Sequence, residues 1–256
     1  MCIIDGNVKD VKDTKIIVSK YNNKQLTVYS NTVNIDREPV AMILPVPKNY
    51  YNKLNIEVFE TNEYDMLIFN ELESFKSKNL YTNSSYLSYD ANDSIEVLRS
   101  GSYRYSIVDN VSNFSKLSSE FNIKDKNLIN LLKKYKNFGF IVCIIDKSAK
   151  YSPFVYSHDL MDSNKLFVPT KHYHNGKEKA DDWNHSIYGF GTIYGNSWKD
   201  WNFANQTSNN ISKLLPVFCS KKNITTKEIK GFYSNIDITF ECEPVKNIYR
   251  EYCTIM

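Results

Sequence analysis

Glycine and proline are scarce, with 8 and 7 among 256 residues. No Pro/Gly-rich stretch divides the chain, and no Gly-rich loop is framed to cradle a phosphate. Gly189, Gly191 and Gly195 lack the spacing of a dinucleotide fingerprint. A G-x-S-x-G elbow, a Walker loop and an H-E-x-x-H helix are also missing, which removes the usual sequence warrants for those enzyme classes. The five cysteines (Cys2, Cys143, Cys219, Cys242, Cys253) show no CxxC or paired spacing. An odd count without pairing argues for free thiols in a reducing compartment. The longest apolar run, 138–145, is far below the roughly 18 residues that a membrane helix needs. The start, Met-Cys-Ile-Ile-Asp-Gly, has no basic region before an apolar one, so a cytoplasmic protein is expected.

What is present fits a globular protein. Hydrophobic residues make up 42% and charged residues 24%. The net charge of +3 comes from 32 basic and 29 acidic residues mixed along the chain. The densest basic cluster, Lys133, Lys134 and Lys136, falls in an amphipathic helical pattern and reads as a solvated face. Nucleic acid is therefore not expected as a partner. The 19 tyrosines suit half-wet positions, since a buried hydroxyl needs a partner.

Periodicity predicts strands over 14–19 and 25–30, joined by the turn Lys-Tyr-Asn-Asn-Lys. A third strand, 40–44, runs into Pro45-Val46-Pro47, which must leave the sheet or lie on its edge. Strands are also expected over 55–60, 103–108, 138–145, 166–173, 186–193 and 236–240. Asn62 can cap a helix carrying Leu67, Ile68, Leu72 and Phe75. Asn110 or Ser112 can cap a short one through Phe114, and Asp125 a stronger one with Leu128, Leu131, Leu132 and Tyr135. A further helix is expected over 209–214. Residues 78–94 are polar and predict an exposed loop. With no strict βαβα alternation, the expectation is one α+β domain over 1–245, mostly antiparallel sheet with a few packed helices, and a tail over 246–256.

Three of the four histidines lie within fourteen residues: His172, His174 and His185. On a strand, positions 172 and 174 face one side. They can offer two imidazoles to a metal, with His185 or Asp182 as a third ligand, or place a general base beside a nucleophile. The plain alternative is a pair of half-exposed histidines. Cys2 is the other unusual position. Removal of Met1 would leave a cysteine with a free amine as its own base, as in N-terminal nucleophile hydrolases; the alternative is an ordinary small residue at an exposed start.

The chain resembles a family of largely uncharacterised, mostly bacterial proteins that begin with Met-Cys. The resemblance is carried by Met1-Cys2, Gln25-Leu-Thr-Val-Tyr-Ser30, Ala41-Met-Ile-Leu-Pro-Val-Pro47, Gly101-Ser-Tyr103 and Ser106-Ile-Val108. Tyr135, Gly139-Phe140, the stretch 166–176 with Pro169-Thr-Lys-His-Tyr-His174, His185-Ser-Ile-Tyr188 and Asn235-Ile-Asp-Ile238 follow in order. The family is similar in turn to a secreted group built around Trp-Val-Leu-Pro-Val-Pro with a cysteine near the mature N-terminus, which implies a role for Cys2. The chain departs from the family at Asn184, where Asp is expected, and lacks a cysteine after Tyr188.

These observations lead to an expected cysteine-dependent hydrolase or acyl transferase acting on a small molecule or peptide, with no cofactor. Cys2 would be the nucleophile, His172 or His174 (with His185 nearby) the base, and Tyr188 or Asn235 a contact to the oxyanion. The alternatives are a non-catalytic binding or structural protein, such as a virion or membrane-associated component, and a metal protein built on the same histidines. Cys253-Thr-Ile-Met256 fits the C-a-a-X pattern with a terminal residue that selects farnesyl. One such lipid predicts reversible membrane association; the alternative is a plain tail.

Overall fold

A computed structural model describes residues 3–21, 23–61, 67–74, 95–178, 182–190, 193–194, 199–201, 224–232 and 234–242. Among them the chain begins β1 (Ile3–Asp5), β2 (Val8–Tyr21), β3 (Lys24–Ile35), β4 (Val40–Pro47) and β5 (Ile56–Phe59). Helix α1 (Leu67–Ser74) precedes β6 (Leu98–Ser100) and β7 (Tyr103–Val108). Two 3-10 turns, Val111–Lys116 and Ser119–Phe121, lead to α2 (Lys126–Leu132). Next come β8 (Phe138–Ile145), β9 (Ala149–Lys150), β10 (Phe154–Asp159), β11 (Lys165–Val168) and β12 (Asp182–Phe190). The last strands are β13 (Ile193–Tyr194), β14 (Lys199–Trp201), β15 (Ile224–Phe232) and β16 (Ile238–Cys242).

Three sheets result. One has five strands in the order β1-β4-β8-β7-β6. An eight-stranded sheet has the order β14-β15-β12-β2-β3-β10-β5, with β9 beside β3. The third is β11-β16-β13. Pairing is antiparallel except between β12 and β2. The first two sheets pack face to face: Ile4, Met42, Leu44, Ile141 and Cys143 of one join Ile16, Val18, Tyr29, Phe154 and Ile187 of the other in a single buried cluster. The far side of the five-stranded sheet is covered by Leu128, Leu131 and Leu132 of α2 with Phe114 and Phe121. The far side of the eight-stranded sheet is covered by Ile68, Phe69 and Leu72 of α1.

This corrects the α+β expectation: the fold is β-rich. The helical periods at 67–74 and 126–132 do form helices, but these are only eight and seven residues long and act as covers on sheet faces. The strands that sequence patterning missed decide the class. β10 is buried on both faces through Tyr156 and Val155, so it shows no alternation to recognise.

Local chemistry explains the best-anticipated elements. Asp125 caps α2 by accepting from the amides of Asn127 and Leu128. The β2–β3 hairpin turns where expected but is longer, and it bends at a register shift beside Asp13, whose φ of 53° is left-handed. Pro45 and Pro47 lie opposite Phe140 and Phe138 of β8. The Lys48 amide donates to Asn137 O at 2.9 Å, so even-numbered amides face β8 and the proline nitrogens face the other side, where among the described residues β1 pairs only as far as Ile43. That is the edge position a proline requires. Gly101 turns β6 into β7 at φ 54°, where a Cβ would meet Thr61 Oγ1 at 2.6 Å and Ser152 Oγ at 2.7 Å. Asn62 and Phe75, the expected 78–94 loop and the expected 209–214 helix lie outside the described residues. Among the described residues no helix is long and apolar enough to cross a membrane.

Candidate functional site

The histidine segment leaves β11 at Val168 and is held by side chains in place of a neighbouring strand. Asn235 uses both halves of its carboxamide on one residue: Oδ1 accepts from the His172 amide at 2.6 Å, and Nδ2 donates to the His172 carbonyl at 2.8 Å. Asp237 Oδ1 accepts from the amides of Thr170 and Lys171, each at 2.9 Å. Its other oxygen accepts from Tyr135 OH at 2.5 Å. Thr170 Oγ1 donates to the Ile236 carbonyl at 3.0 Å. Burial pushes the Asp237 carboxyl pKa up, and these donors pull it partly back.

The same segment holds the start of the chain. Ile3 bridges Tyr173 in parallel, and the Ile4 amide donates to Tyr173 O at 2.7 Å. Tyr173 OH donates to Asp125 Oδ2 at 2.5 Å, tying the segment to the α2 cap. Asn175, at a left-handed φ of 55°, accepts from the Val8 amide at 2.8 Å and donates to the Val8 carbonyl at 2.9 Å. Buried Gln25 does the same to Phe167, at 2.8 and 2.6 Å. Three carboxamides therefore each satisfy both backbone groups of one residue, where strand pairing would otherwise be needed.

His172 and His185 are both buried, and their rings stack with centroids 5.2 Å apart and planes 17° apart. His185 lies opposite Thr14 of β2. Burial pushes the His172 ring down to about 2 and the His185 ring lower still. Both are neutral at pH 7. A general base works best with a pKa near the working pH, so rings pushed this low are poor proton acceptors. His174 is half-buried, and its backbone pairs with Lys177 across a tight turn.

The expected site residues are thus only partly brought together. His172, His185 and Asn235 converge, with Asn235 committed to backbone. Tyr188 lies on the other face of β12, packed with Phe69 of α1 at 6.3 Å between centroids, away from the face that carries His185 and Ile187. Cys2 and Cys253 lie outside the described residues. Among the described residues Cys143 and Cys242 are buried and form no disulfide, and no three His, Cys, Asp or Glu side chains form a metal-holding group. Sequence reasoning did not assign roles to Asp237, Gln25 and Asn175. The available signal was the ordered set of motifs itself, since Gln25, Tyr135, 166–176 and 235–238 prove to be pieces of one clasp.

No protein-family model matches the chain, and no curated protein is significantly similar to it. Among solved structures, the crystal structure of baculovirus P35 is similar over 94% of this chain and 99% of its own, at 16% identity and a TM-score of 0.53. A mutated baculovirus P35 after caspase cleavage follows at 15% identity and a TM-score of 0.49, over 90% of this chain and 99% of that one. A caspase-8/P35 complex matches at 13% identity and a TM-score of 0.46, over 90% and 95%. At such identities the likeness shows the fold alone. None of the comparisons supports the hydrolase expectation. Nothing in them supports prenylation at Cys253. The chain has the β-rich fold of baculovirus P35.

Proposed function

We propose that this chain is a non-catalytic binding protein whose partner is a protein, and that the partner is a protease of the caspase class. The observation that carries this is the likeness to P35 over 94% of the chain and 99% of P35, since a match of that extent leaves little of either fold unshared. P35 is described after caspase cleavage and in a complex with caspase-8. The sealed, neutral histidine pair is consistent with a site that holds the fold together in place of chemistry. The recognition element assigned here is the polar 78–94 stretch, which contains Asp90 and Asp93. Caspases cut after aspartate, and small, polar stretches of sequence are preferred sites of proteolytic nicking.

The test is to mix purified protein with active caspase-8 and follow intact mass and residual protease activity. The expected result is a stable complex or a cut after Asp90 or Asp93, lost when both are changed to Ala. Full protease activity together with an uncut, unretained chain across a panel of caspases would refute the reading.

A further inference from the structure

Of the eight glycines only two follow an aspartate or asparagine: Gly6 after Asp5, and Gly176 after Asn175. An asparagine before glycine is the least hindered setting for attack of a backbone nitrogen on a side-chain carboxamide, since glycine has no Cβ to shield that nitrogen. The pair stands at the corner of the turn 174–177, where the His174 amide donates to Lys177 O at 3.3 Å and the Lys177 amide to His174 O at 3.2 Å. Asn175 and Gly176 take left-handed φ values of 55° and 70°. A two-residue corner with both φ positive calls for Asn-Gly, so the chemistry that makes the turn also makes it labile. Both residues are exposed, and water reaches them. Asp5 differs: it is buried, and its Oδ2 accepts from the amides of Lys124 at 2.8 Å and Asp125 at 3.2 Å.

The carboxamide that would react is the one that holds the start of β2. Asn175 Oδ1 accepts from the Val8 amide and Nδ2 donates to the Val8 carbonyl, and the Val8 side chain is buried in the core between the two large sheets. While both bonds stand, the carboxamide cannot swing round to meet the Gly176 nitrogen, so reaction waits on a local opening. In the open turn the Gly176 nitrogen gives up its proton and bonds to Asn175 Cγ, the Cγ–Nδ2 bond breaks, and ammonia leaves a five-membered imide. Water then adds to one or other imide carbonyl and opens the ring to aspartate or isoaspartate. Water enters, ammonia leaves, and nothing is oxidised or reduced. An aspartate has no Nδ2–H donor, so a carboxylate oxygen would face the Val8 carbonyl, acceptor against acceptor. An isoaspartate lengthens the main chain by one carbon and draws the carboxylate away from both groups of Val8.

We propose that Asn175 is a site of spontaneous deamidation, and that its conversion releases Val8 and frees the start of β2 from the histidine segment. The reaction takes only water, so it is independent of the partner proposed above. The test incubates the whole folded protein and the synthetic peptide 170–178 in the same mildly alkaline buffer. Both are followed by peptide mass mapping, and the protein also by hydrogen exchange at the Val8 amide. The expected result is a gain of about 1 Da at Asn175, the change from amide to acid, ahead of every other asparagine. It runs roughly tenfold or more slower in the folded protein than in the peptide, since two hydrogen bonds must break first. The converted fraction, and Asn175→Asp made directly, exchange the Val8 amide faster than wild type. No mass gain at Asn175 in the folded protein while the peptide converts would overturn the site. Equal rates in protein and peptide would overturn the gating by Val8, and unchanged Val8 exchange after conversion would overturn the release.

Discussion

Asparagine organises both the 172–175 junction and the 49–53 turn, yet the two regions handle aromatic rings in opposite ways. At the junction, Asn235 and Asn175 take over backbone groups that have no strand partner, and the His172 and His185 rings are sealed inside. At the turn, Asn49 satisfies two amides of an exposed loop, and the Tyr50 and Tyr51 rings stand in water. The lesson is that the same side-chain chemistry has different worth depending on what replaces it. Where water can enter, a lost carboxamide is re-solvated; where it cannot, the backbone groups it served are left unpaired.

The largest effect should come from acid. His172 and His185 have folded pKa values below the ordinary histidine value. The unfolded chain therefore takes up protons first as pH falls through about 6.5, and stability must drop with falling pH until the folded pKa values are reached. Between about pH 7 and about pH 5 the pair should cost the fold about 4 kcal/mol, seen as a falling urea midpoint. Buried His158, pushed down to about 4, acts in the same direction. A midpoint that holds steady over that range would mean the stacked rings accept protons in place.

Next in size is Asp237→Ala. It strips the Thr170 and Lys171 amides and Tyr135 OH of their acceptor at once, so a loss of about 3 kcal/mol is expected in denaturant unfolding. Asn235→Ala should follow at about 2 kcal/mol, since it leaves one buried residue, His172, with both backbone groups unpaired. Asn49→Ala should cost the least, about 1 kcal/mol or below, because the amides it serves are exposed. Equal costs for Asn235→Ala and Asn49→Ala would erase the distinction between the two regions.

Much of the local structure was legible in advance. The β2–β3 turn, the Asp125 cap, the run 138–145 and the edge placement of Pro45 and Pro47 all follow from turn chemistry, capping and proline's missing donor. The fold class was not legible, because β10 and β15 carry no clean alternation and the helices are too short to form a layer of their own. The candidate site was legible only as a set of motifs. Periodicity could pair His172 with His174, but the ring that stacks on His172 is His185, brought there by β12 lying beside β2.

Sequence by itself determined where the chain turns, caps and extends, since those choices depend on residues within a few positions of one another. Only the tertiary structure decided that the His185 ring stacks on His172 and that Asn235 serves the backbone of His172. It alone decided that Gln25, Tyr135 and Asp237 belong to one clasp. Those outcomes depend on which strands pair and in what register, and on which distant polar group meets an unpaired amide when water is excluded. No local pattern encodes them.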